Sequence, residues 1–448
     1  MSSNASKKAN PNRLAIQMVI ALAAGIVVGL ILMALRENID PAVWKKINDI
    51  FFQDITAQGA EKAIGLFYIG GQLFVRALQL IIVPMIFTSI AMAIGTISDA
   101  RTLGRISTKT LLWFLMTSLG GLLVAAVVGL IVFKAGLFSA NLEGLTATTG
   151  STGSNPLNVI LNIVPSNIGT TFSSNTSVLA VVFLAVATGL CMNKLGFEKT
   201  ATMRRLLQEL NDIVTVFLNF VVTKFAPIAI FMLISRTFAT YGIDYLKPAL
   251  VYMVLTTILL LAYLFIGYPI YVAVGAKLNP FTFMKKIISV VLFGFSTSSS
   301  AATLPLNYDT CVKKLGVDKQ VASFVLPLGM TINMDGTAIM QVIATLFIAG
   351  CAGYEVSIGS LIVIAVLALI ASIGTPAAPG AGAIILFTIL SGVGFTNDAA
   401  LMAYTLILAI NRPIEMLVTS LNCVGDSTAC LYVAKSEKLL NEKVFNEK

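Results

Sequence analysis

Four stretches without a single charged side chain, Leu14 to Leu35, Ala77 to Ser98, Leu111 to Phe133 and Pro248 to Ala276, constrain this chain more than anything else in it. Each reaches the roughly 20 residues a helix needs to cross a hydrocarbon core. The chain is 57% hydrophobic and only 11% charged, with a mean hydropathy of +0.90, whereas ordinary soluble domains carry about 25% charged residues. A water-soluble fold is excluded. The first stretch follows Lys7, Lys8 and Arg13, but it runs too long for a signal h-region and no small-residue cleavage site follows it. It is expected to stay as a helix.

A formal charge of +9 does not imply nucleic acid, because cytoplasmic loops of membrane proteins are enriched in Lys and Arg. Arg101, Arg105 and Lys109 follow the second span; Lys194, Lys199, Arg204 and Arg205 follow the fourth; Lys277, Lys285 and Lys286 follow the sixth. These read as cytoplasmic loops. Ala135 to Asn175 is rich in Ser, Thr, Gly and Asn, carries Glu143 and no basic residue, and reads as an outside loop. The amino terminus is therefore expected inside. Five cysteines form no CxxC pair and read as small packed hydrophobes. There is no histidine, so any proton route near neutrality would use carboxylates.

The first half reads as ordinary helices: Leu14 to Leu35, around Phe67 to Ser98, Leu111 to Phe133, around Ser177 to Met192, around Ile213 to Tyr241 with an interruption at Lys224 and Pro227, and Pro248 to Ala276. The second half differs. Ile287 to Tyr308 is broken by the run Ser296 to Pro305, and Ser357 to Asn397 is broken by Gly374 to Gly382, which predicts a hairpin. Each broken stretch precedes a segment with polar groups in mid-membrane, Asn333 to Thr337 and then Asn422 to Asp426. This order occurs twice, and an odd number of crossings separates the copies, so they read as an inverted repeat, the pattern that points to a midplane transport site.

Within the apolar segments from Val321 to Val433 the carboxylates are Asp335, Glu415 and Asp426. A buried carboxylate costs several kcal/mol unless paired. Asp335 and Asp426 have no obvious local basic partner, which points to neutralisation by a bound cation, with Asn333 and unwound backbone carbonyls supplying further oxygens. Asn411, Glu415, Thr419, Asn422 and Asp426 recur at helical spacing and form one polar stripe. Arg412 and Val418 flank Glu415, each about 60° around the helix. Arg412 is open to two readings, an intrahelical ion pair with Glu415 or a direct ligand. The tips Ser298 to Ser300 and Pro379 to Gly382 present backbone amides where helices begin, a setting that favours an anion such as a substrate α-carboxylate.

These residues resemble the dicarboxylate/amino acid:cation symporters, the glutamate transporter family. The resemblance covers nearly the whole chain and rests on five motifs in order: Ser298-Ser299-Ser300 with Thr303-Leu304-Pro305, Pro327-Leu328-Gly329, Thr331 to Thr337, Ser372-Ile373-Gly374-Thr375 with Pro379 to Gly382, and Asn422 with Gly425-Asp426. It implies an all-α membrane protein with eight transmembrane helices and two re-entrant helical hairpins in inverted repeats, working as an elevator within a homotrimer. Scaffold helices 1 and 2 would occupy 12–98 and scaffold helices 4 and 5 would occupy 156–241. The moving part would take helix 3 from 104–135, helix 6 from 246–276 and the core from 281–437.

The resemblance also implies three sodium sites and no other cofactor. By position, Gly329, Asn333, Asn422 and Asp426 would form one; Thr331, Ser372, Ile373 and Thr375 a second; Phe114, Thr117, Ser118, Asn333 and Asp335 a third. Phe114 stands where relatives have Tyr. The substrate would lie among Ser299, Ser300, Thr337, Ala378, Gly382, Glu415, Val418, Thr419 and Asn422, with the second hairpin as the extracellular gate. Acidic-substrate members carry Arg at the position of Val418, where it grips a side-chain carboxylate bidentately. They usually hold the α-amino group with Asp where this chain has Glu415. An unpaired carboxylate against Val418 costs several kcal/mol, so the expected cargo is a small neutral amino acid (serine, alanine, threonine or cysteine) taken up with sodium across the inner membrane, both termini cytoplasmic. The partners expected are that amino acid, membrane lipid and copies of the chain. Sodium- or proton-coupled transport of an acidic amino acid or C4-dicarboxylate through Arg412 is the alternative, and a channel-like conductance a remoter one. An enzyme is not expected: the Ser-rich tip has no histidine base, and no metal-ligand cluster or nucleotide loop is present.

Overall fold

The structure, a computed structural model, describes residues 11–56, 59–95, 101–139, 164–173, 177–241, 246–373, 375 and 380–447. Helix follows helix. They run α1 (Pro11–Asn38), α2 (Pro41–Phe51), α3 (Leu66–Gly95), α4 (Arg101–Lys134), α5 (Ile168–Phe172), α6 (Val178–Leu195), α7 (Phe197–Phe220), α8 (Ala226–Tyr241), α9 (Leu246–Ala262) and α10 (Tyr268–Tyr271). Then come α11 (Pro280–Thr297), α12 (Ser300–Asp309), α13 (Lys319–Ile332), α14 (Asp335–Cys351), α15 (Ile358–Ile373), α16 (Ala381–Val393), α17 (Asp398–Ile410), α18 (Arg412–Ser436) and α19 (Glu442–Asn446). Among the described residues the one β feature is an isolated bridge between Val317 and Leu440.

Among the described residues, four helical stretches are long and apolar enough to cross a membrane: Arg105–Lys134, Phe197–Thr240, Lys247–Ala276 and Lys319–Cys351. A fifth arises if Asp398–Leu408 and Arg412–Ser436, bent by 69°, count as one span. Prolines account for two departures from α-helix. Pro227 and Pro269 cannot donate to the preceding turn, and π-helical turns at Val221–Phe225 and Tyr263–Gly267 absorb the missing bonds.

Several expectations are corrected in detail. Arg101, Arg105, Lys109, Lys194, Lys199, Arg204, Arg205, Lys285 and Lys286 lie in helices α4, α6, α7 and α11, not in loops. Charge marks where a helix leaves the hydrocarbon, not where it ends. The fifth helix accordingly starts at Phe197, well before Ile213. The break in the first hairpin is confined to Ser298 and Ser299; Ala301 to Pro305 are already helical. Asn411 is not on a continuous last helix but sits at the bend between α17 and α18, where its Oδ1 accepts from Tyr252 Oη at 2.6 Å. The predicted outside loop falls mostly outside the described residues, as do Gly374 and Pro376 to Pro379 of the second tip.

Packing sorts the helices. α1 lies along α8, and α3 along α6 and α7, whereas α4 and α9 pack on α14, and α11, α13 and α14 pack on α18. α14 is buried from end to end and α18 over nearly all its length. These two helices carry the polar residues singled out above, and their burial encloses them in protein rather than lipid.

Candidate functional site

The first hairpin is shaped by its caps. Asn279 Oδ1 accepts from the amides of Phe281 and Thr282 at 2.9 and 3.2 Å and Pro280 opens α11. The helix ends on Ser298 in the left-handed region at φ 49°, an uncommon conformation for a residue with a Cβ. Ser299 Oγ then accepts from Ala302 N at 3.3 Å and starts α12. The second hairpin descends along α15 and returns along α16 from Gly380, whose φ of +87° suits glycine.

Between the two tips and α18 lies a cavity of about 30 Å³. Ser298, Ser300, Thr337, Gly382, Glu415, Val418, Thr419 and Asn422 line it, together with Met334, Met340, Thr375, Gly380 and Ala381. The expected substrate set thus converges, with two exceptions. Ser299 caps α12 while Ser298 takes its place in the lining, and Ala378 is outside the described residues. Among the described residues Glu415 is the one ionisable side chain in the lining. Its Oε1 accepts from Ala383 N at 3.3 Å, and its Oε2 lies 3.7 Å from Arg412 Nη1. Arg412 is buried but outside the lining, so of the two readings the ion pair is the one formed here.

Deeper in the same helices the backbone opens. Helix α13 stops at Ile332 and α14 starts at Asp335, leaving Asn333 and Met334 between them. Asn333 N still bonds Gly329 O at 2.8 Å, and its Nδ2 donates to Asp426 Oδ1 at 3.0 Å. Gly329 faces Asp426 so closely that a Cβ would lie 2.4 Å from Oδ1. Asn422 Oδ1 accepts from Gly336 N at 2.9 Å, tying α18 to the start of α14. Gly329, Asn333, Asn422 and Asp426 are therefore neighbours.

Asp335 is wholly buried. Ser118 Oγ donates to its Oδ1 at 2.5 Å and Tyr268 Oη to its Oδ2 at 2.9 Å. Thr117 Oγ1 donates to Phe114 O at 3.1 Å, and Tyr263 Oη donates to Thr117 O. This set too is brought together. Neither Asp335 nor Asp426 makes an ion pair among the described residues, and Asn333 Oδ1 is buried with no hydrogen-bond partner. Two carboxylates and an orphaned amide oxygen form an oxygen-rich, anionic cluster of the kind a hard monovalent cation fits.

The set of Thr331, Ser372, Ile373 and Thr375 is less connected. Ser372 and Ile373 end α15 and Thr375 lies two residues beyond it; Ser372 Oγ donates to Leu369 O at 2.8 Å and Thr375 Oγ1 to Ala371 O at 2.9 Å. Thr331 Oγ1 bonds Leu328 O at 2.9 Å within its own helix. No hydrogen bond among the described residues joins Thr331 to the other three.

Tyr268, Tyr263 and Gln341 touch these sites without having been singled out from the sequence. Gln341 Nε2 donates to Gly382 O at 3.1 Å. A Gln in the run from Ala338 to Cys351, whose one other polar side chain is the hydroxyl of Thr345, is a signal that could have found it, whereas tyrosines in membrane helices are too common to discriminate.

Comparison with known proteins agrees with this geometry. The sequence profile of the sodium:dicarboxylate symporter family matches residues 14–436. The chain is 28% identical over 386 residues to a proton/sodium-glutamate symport protein of Bacillus caldotenax, covering 83% of this chain and 88% of the relative. It is 28% identical over 389 residues to a proton/glutamate-aspartate symporter of Escherichia coli, covering 83% and 86%. It is also 28% identical over 430 residues to excitatory amino acid transporter 2 of Mus musculus, covering 82% and 73%. With paired hairpins around a small cavity, buried carboxylates beside it and a match over almost its whole length, the chain belongs to the sodium:dicarboxylate symporter family and is a multi-pass membrane symporter of amino acids, not an enzyme.

Proposed function

We propose that the chain couples inward movement of sodium to uptake of a small neutral amino acid across the inner membrane. The observation that carries this reading is the lining of the cavity: Val418 stands beside Glu415, and among the described residues no basic side chain lines the space. A substrate with a second carboxylate would bury it unpaired, at a cost of several kcal/mol. An α-ammonium finds Glu415, an α-carboxylate finds the amides and hydroxyls around Ser298 and Ser300 at the head of α12, and a short side chain meets Val418 and Met340.

Sodium, as co-substrate, neutralises Asp426 with Gly329, Asn333 and Asn422, and Asp335 with Phe114, Thr117, Ser118 and Asn333. Thr331, Ser372, Ile373 and Thr375 contribute a third position once the second hairpin closes. The burial of both carboxylates and the orphaned Asn333 Oδ1 support this assignment. The remaining parts of the reading are a homotrimer in which α1, α3 and α6 to α8 form a static scaffold, while α4, α9 and the hairpin core move as an elevator, with both termini cytoplasmic. The separate packing of those two helix groups supports the division.

Purified protein in liposomes is expected to accumulate labelled serine or alanine only under an inward sodium gradient. Equal uptake with potassium in place of sodium would end the proposal. A second reading, acidic cargo held by Arg412, is favoured by one observation, the buried Arg412 Nε that has no hydrogen-bond partner. It predicts competition by aspartate that disappears in Arg412→Ala; competition by neutral amino acids alone rules it out.

A further inference from the structure

The proposed cation position at Asp335 is built from two elements that meet only in the folded chain. Phe114, Thr117 and Ser118 come from α4, and Asn333 and Asp335 from the opening between α13 and α14. A third element supplies none of these residues yet is bonded to both sides. Tyr263 Oη donates to Thr117 O on α4, and Tyr268 Oη donates to Asp335 Oδ2 at 2.9 Å. Ser118 Oγ holds the other carboxylate oxygen at 2.5 Å.

Two tyrosines five residues apart cannot do this from a regular helix. At 3.6 residues per turn their side chains point about 140° away from each other. Here Tyr268 N bonds Tyr263 O, five residues back, and the π turn Tyr263–Gly267 brings the later side chain round to the same face. Their ring centroids lie 5.2 Å apart. Pro269 accounts for a widened turn in this region, but not for both hydroxyls being directed at one site. Space is cleared for them as well. A Cβ at Gly425, next to Asp426, would lie 2.4 Å from Tyr268 Oη, and one at Gly120 would lie 3.3 Å from Tyr263 Oη. Tyr268 is wholly buried and Tyr263 nearly so. Phenylalanine would fill the same space without needing a polar partner, so the hydroxyls are suited to their two bonds rather than to burial.

We propose that Tyr263 and Tyr268 are positioning residues: through the π turn they tie α4 to α14 and hold the oxygens around Asp335 at a spacing that fits sodium and excludes the smaller lithium ion. Neither hydroxyl ligates the ion. Oxygen cages discriminate between cations of equal charge by their size, ligand number and rigidity. Untethered, the two sides can draw together around a smaller ion. Bonded to one helix, their separation is fixed. This inference rests on the cation site proposed above.

The test titrates purified, substrate-free protein with sodium or lithium, choline keeping the ionic strength constant, and reads thermal stability. For each protein the lithium midpoint is divided by the sodium midpoint. The unaltered chain is expected to need at least about tenfold more lithium than sodium. Tyr268→Phe and Tyr263→Phe are each expected to lower that ratio about fivefold or more. Each removes a single hydroxyl, so one serves should the other fold poorly. Tyr354→Phe removes a buried hydroxyl that accepts from Thr396 N and Asn397 N beyond the far end of α14. It is expected to lower the melting temperature and leave the ratio where it was, as a merely structural role for the other two tyrosines would. An unchanged ratio in either folded variant, an equal shift in Tyr354→Phe, or an unaltered chain that takes both ions alike would overturn the positioning role and leave the cation site standing. If sodium does no more than choline for the unaltered chain, the site itself fails and this inference with it.

Discussion

Gly329→Ala probes the proposed ion site with a single methyl group. A Cβ at this position would lie 2.4 Å from Asp426 Oδ1 and 2.7 Å from its Cγ. A carbon–oxygen contact relaxes to about 3.3 Å, so the carboxylate must retreat by about 0.9 Å. Asn333 Nδ2, 3.0 Å from the same oxygen, loses its acceptor at the same time. At an effective dielectric of about 20, lengthening a sodium–carboxylate contact from about 2.4 to about 3.3 Å weakens it by about 2 kcal/mol, roughly thirtyfold in affinity. The sodium dependence of uptake in liposomes reads this directly: half-saturation should move roughly thirtyfold higher, with the maximal rate recovered at saturating sodium. Gly359→Ala is the control, since its nearest neighbour would be Ser357 Oγ at 3.6 Å and alanine favours the helix there. If Gly329→Ala leaves half-saturation where it was, the carboxylate of Asp426 does not ligate the coupling ion.

Three further outcomes are expected. Val418→Arg places a guanidinium in the cavity lining and should raise aspartate uptake by about tenfold to a hundredfold while depressing serine uptake, as a charged hydrogen-bonded partner contributes about 1.5–3 kcal/mol. Asp335→Asn keeps the shape but removes the charge that Ser118 and Tyr268 face, and should lower sodium-driven uptake at least about a hundredfold, measured as initial rate. At the carboxy-terminal end of α18, Lys109, which hydrogen-bonds Glu437, and Arg105 beside it hold that carboxyl below the usual range. Its stabilisation is therefore present above the unfolded pKa of about 4.3 and is lost as pH falls through the lower folded value, so Lys109→Met should reduce thermal stability slightly at pH 7 and converge with the unaltered chain in acid.

How much of this was readable in the chain depends on what kind of signal each feature leaves. Hairpin positions were legible because Ser298-Ser299 and the glycine- and proline-rich run before Ala381 interrupt apolar sequence that otherwise has no reason to stop. The carboxylates Asp335, Glu415 and Asp426 were legible because ionisable groups are so costly in that setting. Helix ends were not. Arg101 to Lys109 and Phe197 to Asp212 continue as helix beyond the apolar runs, and hydropathy reports the thickness of lipid, not the end of hydrogen bonding. The bend at Asn411 was also hidden: Pro413 follows it, but proline in the first turn of a helix is equally at home in a straight junction. Contacts such as Tyr268 with Asp335 and Gln341 with Gly382 join residues 67 and 41 positions apart, and no local pattern encodes them.

The ion pair of Arg412 is visible only in the fold. Helical spacing put it within reach of Glu415 but left it equally able to face the cargo. In the folded chain Arg412 pairs at 3.7 Å with Glu415, which lines the cavity, and itself stands outside that lining. The arginine is then better placed to orient Glu415 than to meet a ligand.

Equilibrium sodium titration of the purified, substrate-free protein, read as its thermal stability, bears most directly on the claim that cations neutralise the buried acids. Saturable stabilisation by sodium that choline cannot reproduce, and that is lost when Asp335 and Asp426 are both changed to Asn, is the result this account requires. Identical curves in sodium and choline, or an undiminished sodium response in the doubly changed protein, would contradict it.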